Sequence, residues 1–262
     1  MNIQILENTL REVFGDPFRV FDEIDSTNSY LKREGSTLPD GYLVCALRQT
    51  AGRGRFGKSF VSPPGGIYLS VLFRPSFSAQ RCSELTPLTA VAVCCAIERI
   101  CNVKPGIKWV NDLVLGGRKI CGILSEIVFD DNGGVDYVII GVGLNVNTER
   151  KDFSLELADI ASSIYEETGQ HIDIATLAAA IAKEIREAVS VFPVNRGDIL
   201  YNYRQRCTTL DKQVRVYSDE GFYEAYAEKI DDDFHLVARC ESGECRTLLG
   251  GDVSVRGLCG YN

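Results

Sequence analysis

Among 262 residues there is no CxxC pair, no repeat of fixed period, no Gly/Ser- or Pro-rich linker and no long apolar run. The missing CxxC takes away the usual zinc-knuckle and thioredoxin-like spacings, and the missing repeat excludes solenoids and propellers. Without a linker, any two domains are expected to touch. The N-terminal stretch MNIQILENTLREVFGD carries acidic residues and no apolar core. It reads as neither a signal peptide nor a membrane anchor, and the expected address is the cytoplasm. Positive charge is the scarcer sign: 28 Lys and Arg face 36 Asp and Glu, and a net charge of -8 disfavours a general electrostatic grip on nucleic acid.

What is present is ordinary globular material, 45% hydrophobic and 24% charged, in a length that suits one large domain and a small one. Ten cysteines invite a disulfide reading, but Cys45, Cys82, Cys94, Cys95, Cys101 and Cys121 sit in apolar or helical patterns and read as reduced core thiols. His235, Cys240, Cys245 and Cys259 are four possible zinc ligands without the spacing that pairs two ligands at one metal.

Apolar runs rich in β-branched and aromatic residues at 18–23, 42–47, 67–73, 119–129 and 137–143 predict strands of one sheet. Helical spacing over Leu85 to Ile100 and Ala175 to Phe192 predicts two helices, the second capped by Asp173 and stopped by Pro193. Ser163 and Glu166 have capping-box spacing, with Gly169 to close a short helix. After about residue 208 the texture changes to short strands and hairpin turns. The expectation is an α+β domain over 1–208 followed by a small β-barrel over 209–262.

Four stretches carry chemistry. GRGRFGK at 52–58 offers glycines that let the backbone approach a ligand and cations suited to phosphate or carboxylate. Gly52, Gly54 and Gly57 satisfy GxGxxG formally, but the following KSFVSPPGG is a loop and not a helix start, so the dinucleotide reading fails on context. GIKWVNDLVLGGRKICGILSE at 106–126 reads as a β-hairpin turning at GGRK, with Lys108 in a mostly apolar strand. That lysine is either an edge residue reaching to solvent or a cation held for an anion. GVGLNVN at 141–147 ends a strand with glycines on which a flat ligand can lie and with Asn145, an amide able to read a purine edge; it reads equally as a strand end with turn asparagines. DSTNSYL at 25–31 carries a helix N-cap at Ser26 or Thr27.

In this order DSTNSYL, RQTAGRGRFGK, KWVNDL, GRKICGILSE and GVGLNVN resemble the biotin protein ligases, which attach biotin to carboxylase carrier domains. The resemblance implies a mixed-sheet catalytic domain related to class II aminoacyl-tRNA synthetases, followed by an SH3-like barrel. It implies that Ser26, Thr27, Asn28, Gln49, Gly52, Arg53, Gly54, Lys108, Leu113, Gly122, Gly141 and Gly143 surround biotin. Arg55, Lys58, Phe60, Asn111, Asp112, Lys119, Asn145 and Arg256 would meet ATP or the adenylate, and Lys108, Arg53 and Arg55 would be catalytic. Magnesium would come with the ATP phosphates, without a protein metal site.

Three positions depart from the family pattern: Val110 stands for a proline, Phe60 for a tryptophan and Asp252 for a commoner glutamate. Some members carry a DNA-binding domain ahead of the ligase; about 25 residues precede Ser26 here, so a repressor role is expected to be absent. The partner implied is a biotin carboxyl carrier domain, with no DNA and no membrane, and a homodimer stays open. A lipoate ligase, a binding module without catalysis and a bifunctional repressor are the rival readings. Residues near 52–62 are expected to order over the ligand.

Overall fold

A computed structural model describes residues 2–218, 221–250 and 253–257. Seven strands form the first sheet: β1 (Phe18–Phe21), β2 (Leu43–Ala46), β3 (Gly66–Phe73), β4 (Gly106–Lys108), β5 (Asp112–Leu115), β6 (Arg118–Phe129) and β7 (Val135–Asn145). Their order is β1-β2-β3-β7-β6-β5-β4, with β1 parallel to β2 and the other neighbours antiparallel. The five predicted runs are all strands. The hairpin at GGRK forms as expected, with Gly116 and Gly117 at φ 56° and 82°, the left-handed pair that a two-residue turn requires.

Around the sheet lie α1 (Ile3–Val13), α2 (Thr27–Glu34), α3 (Ala79–Cys82), α4 (Leu85–Cys101), α5 (Leu155–Ala158), α6 (Ile164–Thr168), α7 (Ile174–Ser190) and α8 (Arg196–Arg206). Asp173 caps α7 by accepting from the Ala175 amide, and the helix stops at Ser190, short of the predicted Phe192. Ser163 caps α6 and Gly169 closes it at φ 72°. The capping box does not close, because Glu166 accepts instead from the Arg150 amide at 3.0 Å.

Strand alternation decides which face does what. In β7, Val138, Ile140, Val142 and Leu144 point into the main core, with α4 and α7 packed on that side. The opposite row begins with Tyr137 and Ile139, which pack with Leu31 of α2, and then turns to Gly141, Gly143 and Asn145. The apolar cover ends where the glycines start, and a cleft opens there. Cys45, Cys82, Cys94, Cys101 and Cys121 are buried and Cys95 partly so, all as free thiols. Burial pushes the Cys45 thiol up to about 12 and the Cys101 thiol up to about 11.

A second, antiparallel sheet holds β8 (Lys212–Ser218), β9 (Gly221–Ile230), β10 (Leu236–Cys240), β11 (Cys245–Leu248) and β12 (Ser254–Gly257), in the order β11-β10-β9-β8-β12. Its inner residues Val214, Val216 and Ala225 belong to the same apolar cluster as the first sheet. Trp109 joins the two, donating Nε1–H to the Phe234 carbonyl at 3.0 Å. His235 lies beside Asp231, Cys240 is half-buried and Cys245 exposed; Cys259 and Asp252 lie outside the described residues.

Candidate active site

The cleft encloses about 540 Å³. Its floor follows from strand register: Tyr68, Gly143 and Gly122 lie side by side across β3, β7 and β6, and Ser70, Gly141 and Leu124 form the next row. The glycines are required by what lies on them. A Cβ at Gly143 would stand 2.6 Å from the Phe60 ring, one at Gly122 3.1 Å from it, and one at Gly141 would collide with the Asn28 amide. Phe60 and Asn28 therefore rest on bare backbone.

One end of the cleft is uncharged and hydrogen-bonded. Ser26 caps α2, and Gln49 Oε1 accepts from the Thr27 amide at 2.8 Å and from Thr27 Oγ1 at 3.1 Å. Gln49 Nε2 donates to Ser62 Oγ at 2.9 Å, and Ser70 Oγ lies 2.7 Å from Thr27 Oγ1 and 2.6 Å from Asn28 Oδ1. The other end is cationic. Lys108 sits on β4, the edge of the sheet, yet is only 6% exposed. Its strand is covered by residues 207–209: Thr208 donates its amide to the Ile107 carbonyl, and Thr209 Oγ1 accepts from the Trp109 amide. The solvent-reaching alternative is therefore excluded. Desolvation pulls the Lys108 ammonium down to about 8; Asp112 opposes this, and Lys119, Arg256 and Lys58 add to it. Lys119 is itself paired to Asp112 at 2.6 Å.

The glycine loop folds on itself, with the Gly54 amide on the Lys58 carbonyl at 2.7 Å and the Phe60 amide on the Gly52 carbonyl at 2.9 Å. Arg55 is half-buried and donates to Asn111 Oδ1 at 3.0 Å, to the Val253 carbonyl at 3.3 Å and to the Gly250 carbonyl. Burial pulls its guanidinium down from the ordinary arginine value. Asn145, deep in the cleft, donates Nδ2–H to the Ser162 carbonyl at 2.9 Å while its Oδ1 has no partner among the described residues.

Residues 20–145, which supply this floor and both of its ends, match the biotin/lipoate A/B protein ligase family. Over these residues the chain is similar to that family. Among curated relatives of this ligase family, "Bifunctional ligase/repressor BirA" of Bacillus spizizenii is 41% identical over 164 residues, 62% of this chain and 50% of that protein. The chain thus spans half the length of that relative. The "Biotin--[acetyl-CoA-carboxylase] ligase" of Mycobacterium tuberculosis is 28% identical over 94% of both chains. The α+β fold with its mixed sheet matches a biotin protein ligase from Aquifex aeolicus in complex with biotin and ATP, with a TM-score of 0.79 and 26% identity over 92% of this chain and 99% of that one.

Most positions expected from the ligase-family motifs line the cleft: Ser26, Thr27, Asn28, Gln49, Arg53, Gly54, Arg55, Lys58, Phe60, Lys108, Asn111, Asp112, Lys119, Gly122, Gly141, Gly143, Asn145 and Arg256. Two do not. Leu113 follows Asp112 in β5, so alternation turns it to the opposite face, where it is fully buried in the core. Gly52 lies behind the loop, where a Cβ would strike the Phe60 carbonyl and Ser62 Oγ, so its role is to let the loop close. Asn147 exchanges hydrogen bonds with the backbone of Ile172 and only fastens the strand end. Sequence reasoning missed the wall formed by Phe153, Leu157, Ile160 and Ala161, whose short helix and loop carry no motif. It also missed Val253 and Val255, which reach the cleft from the second sheet.

Proposed function

We propose that this chain is a biotin protein ligase that activates biotin with MgATP and transfers it to a lysine of a carboxyl carrier domain. The carrying observation is the division of the cleft into a neutral end of paired donors and acceptors and a cationic end at Lys108. Biotin has a matching division, a ureido head that both donates and accepts and a carboxylate at the end of an apolar chain. Lipoate's dithiolane head has no donor or acceptor to match this polar end, so it binds there less well than a ureido head, and that difference is selectivity.

In the reaction a biotin carboxylate oxygen attacks the α-phosphorus of ATP, the bond to the β-phosphate oxygen breaks, and pyrophosphate leaves. Both reactants are anions, so the step needs positive charge held where they meet. Lys108 supplies it, with Lys58, Lys119 and Arg256 around the phosphates, while Arg53 and Arg55 hold the glycine loop in place. An anion beside Lys108 raises its pKa again and keeps it protonated. Asn145 Oδ1 suits the exocyclic amine of adenine, and Phe60 supplies an aromatic face for the base. The carrier amine then attacks the acyl carbon of biotinyl-5′-AMP; AMP leaves and the amine's proton passes to solvent. Mg²⁺ enters as part of MgATP.

On this reading residues 1–208 form the catalytic domain, kin to class II aminoacyl-tRNA synthetases, and 209–262 an SH3-like barrel that closes the cleft. No described helix is long and apolar enough to cross a membrane, and a cytoplasmic site with carrier protein and no DNA as partner suits the acidic charge. Exchange of labelled pyrophosphate into ATP tests the proposal: biotin should drive it and lipoate should not. Exchange driven by lipoate alone, or by neither acid, would refute it.

A further inference from the structure

Strand β6 turns Gly122, Leu124 and Glu126 to one face, and the first two line the cleft. Glu126 is the next position in that row, and its register partner Ile139 is already sealed under α2. The glutamate therefore stands where the cleft ends. Three donors converge on it: Asn28 Nδ2 on Oε2 at 3.0 Å, Arg53 Nη1 on Oε1 at 3.2 Å and Lys32 Nζ on Oε1 at 3.5 Å. Its side chain is 14% exposed, whereas Arg53 is 42% and Lys32 54% exposed. The carboxylate is the fixed member of the cluster, and the two cations reach inward to it.

Both of its nearer partners belong to the cleft. Asn28 rests on Gly141 and also takes part in the Ser70 pairing, so Glu126 fixes which way that amide faces. Arg53 is the first cation of the glycine loop, and its pairing joins the loop to the sheet floor. The geometry points to Glu126 as a positioning residue that tethers the glycine loop through Arg53, orients Asn28 and closes the neutral end of the cleft to carboxylates. A second anion there meets a carboxylate whose donors are already taken. A ligand with one neutral polar head and one carboxylate then enters head first, leaving its carboxylate at Lys108. The tether stands on geometry alone; the head-first entry rests on the ligase reading.

Trypsin cuts after Arg53, Arg55 and Lys58, so cleavage of the loop in the ligand-free full chain reads the tether without any activity assay. Glu126→Gln keeps the side-chain shape and removes the charge. Loop cleavage should rise about fivefold with the unfolding midpoint unchanged, the scale a partly exposed ion pair supports. Biotin KM should rise by a similar factor, roughly fivefold, while ATP KM and kcat stay within about twofold. In Arg53→Ala the sites after Arg55 and Lys58 should open as well, and adding Glu126→Gln to it should give no further increase. Wild-type cleavage in Glu126→Gln, or effects that simply add in the double variant, would overturn the tether. Faster cleavage beside an unchanged biotin KM would overturn the head-first assignment. Faster cleavage in a protein whose wild type shows no biotin-dependent exchange would sink the ligase reading and leave the tether standing.

Discussion

At one end of the cleft Thr27, Gln49, Ser62 and Ser70 satisfy one another; at the other, Lys58, Lys119 and Arg256 gather around Lys108, with Asp112 beside them. The first end finds its partners internally, and on the proposed reading it discriminates by geometry. The second holds like charges close together with an ammonium partly stripped of water, and that cost is relieved when an anion binds. On the proposed ligase reading, shape selection and electrostatic drive fall to different residues of one sheet face.

The largest effect should come from removing the charge. Lys108→Met is expected to lower adenylate formation by about 10³-fold, measured as pyrophosphate exchange. The same variant should unfold at higher temperature, gaining about 1 kcal/mol or more, because a desolvated ammonium gives way to an apolar side chain. Near-normal exchange would erase the distinction between the two ends. The wild-type pH profile sharpens it further. The folded pKa of about 8 lies below the ordinary value of 10.5, so between these values the folded protein holds fewer protons than the unfolded chain. Ligand-free stability should rise with pH through that window from this group, with the cost fully present below it. In the opposite sense, kcat/KM for biotin should fall as pH passes about 8, because the charged form is the one that binds the anion.

At the neutral end, Gln49→Leu strips the acceptor from the Thr27 amide and should raise biotin KM about tenfold while leaving ATP KM alone, with about 1–3 kcal/mol lost in stability. An equal rise in both KM values would mean that the ends are not separate. The smallest effect belongs to the floor between them. Gly143→Ala should cost about 1–2 kcal/mol in chemical unfolding as the Phe60 ring is pushed aside, and Gly122→Ala less, in keeping with its longer approach.

The sheet was legible because β-branched runs bounded by glycines are hard to read otherwise, and the motifs on it fell where the chain brings them together. Leu113 was misread since a motif is continuous in sequence while a strand presents alternate residues to each face. Lys108 had two readings from sequence because its burial depends on Thr208 and Thr209, a hundred residues away. The glycines at 141 and 143 did announce a close approach, but what lies on them is the chain's own Asn28 and Phe60. Glu126 ends the GRKICGILSE stretch but drew no role, since an acidic residue in a strand reads as a solvated one until its three donors are seen.

The ring of Phe60 already lies over Gly122 and Gly143. A flat base that takes this place exchanges one covered surface for another and strips little new water from the floor. Nucleotide binding should accordingly carry a small heat-capacity change, and its measured heat should stay nearly constant with temperature.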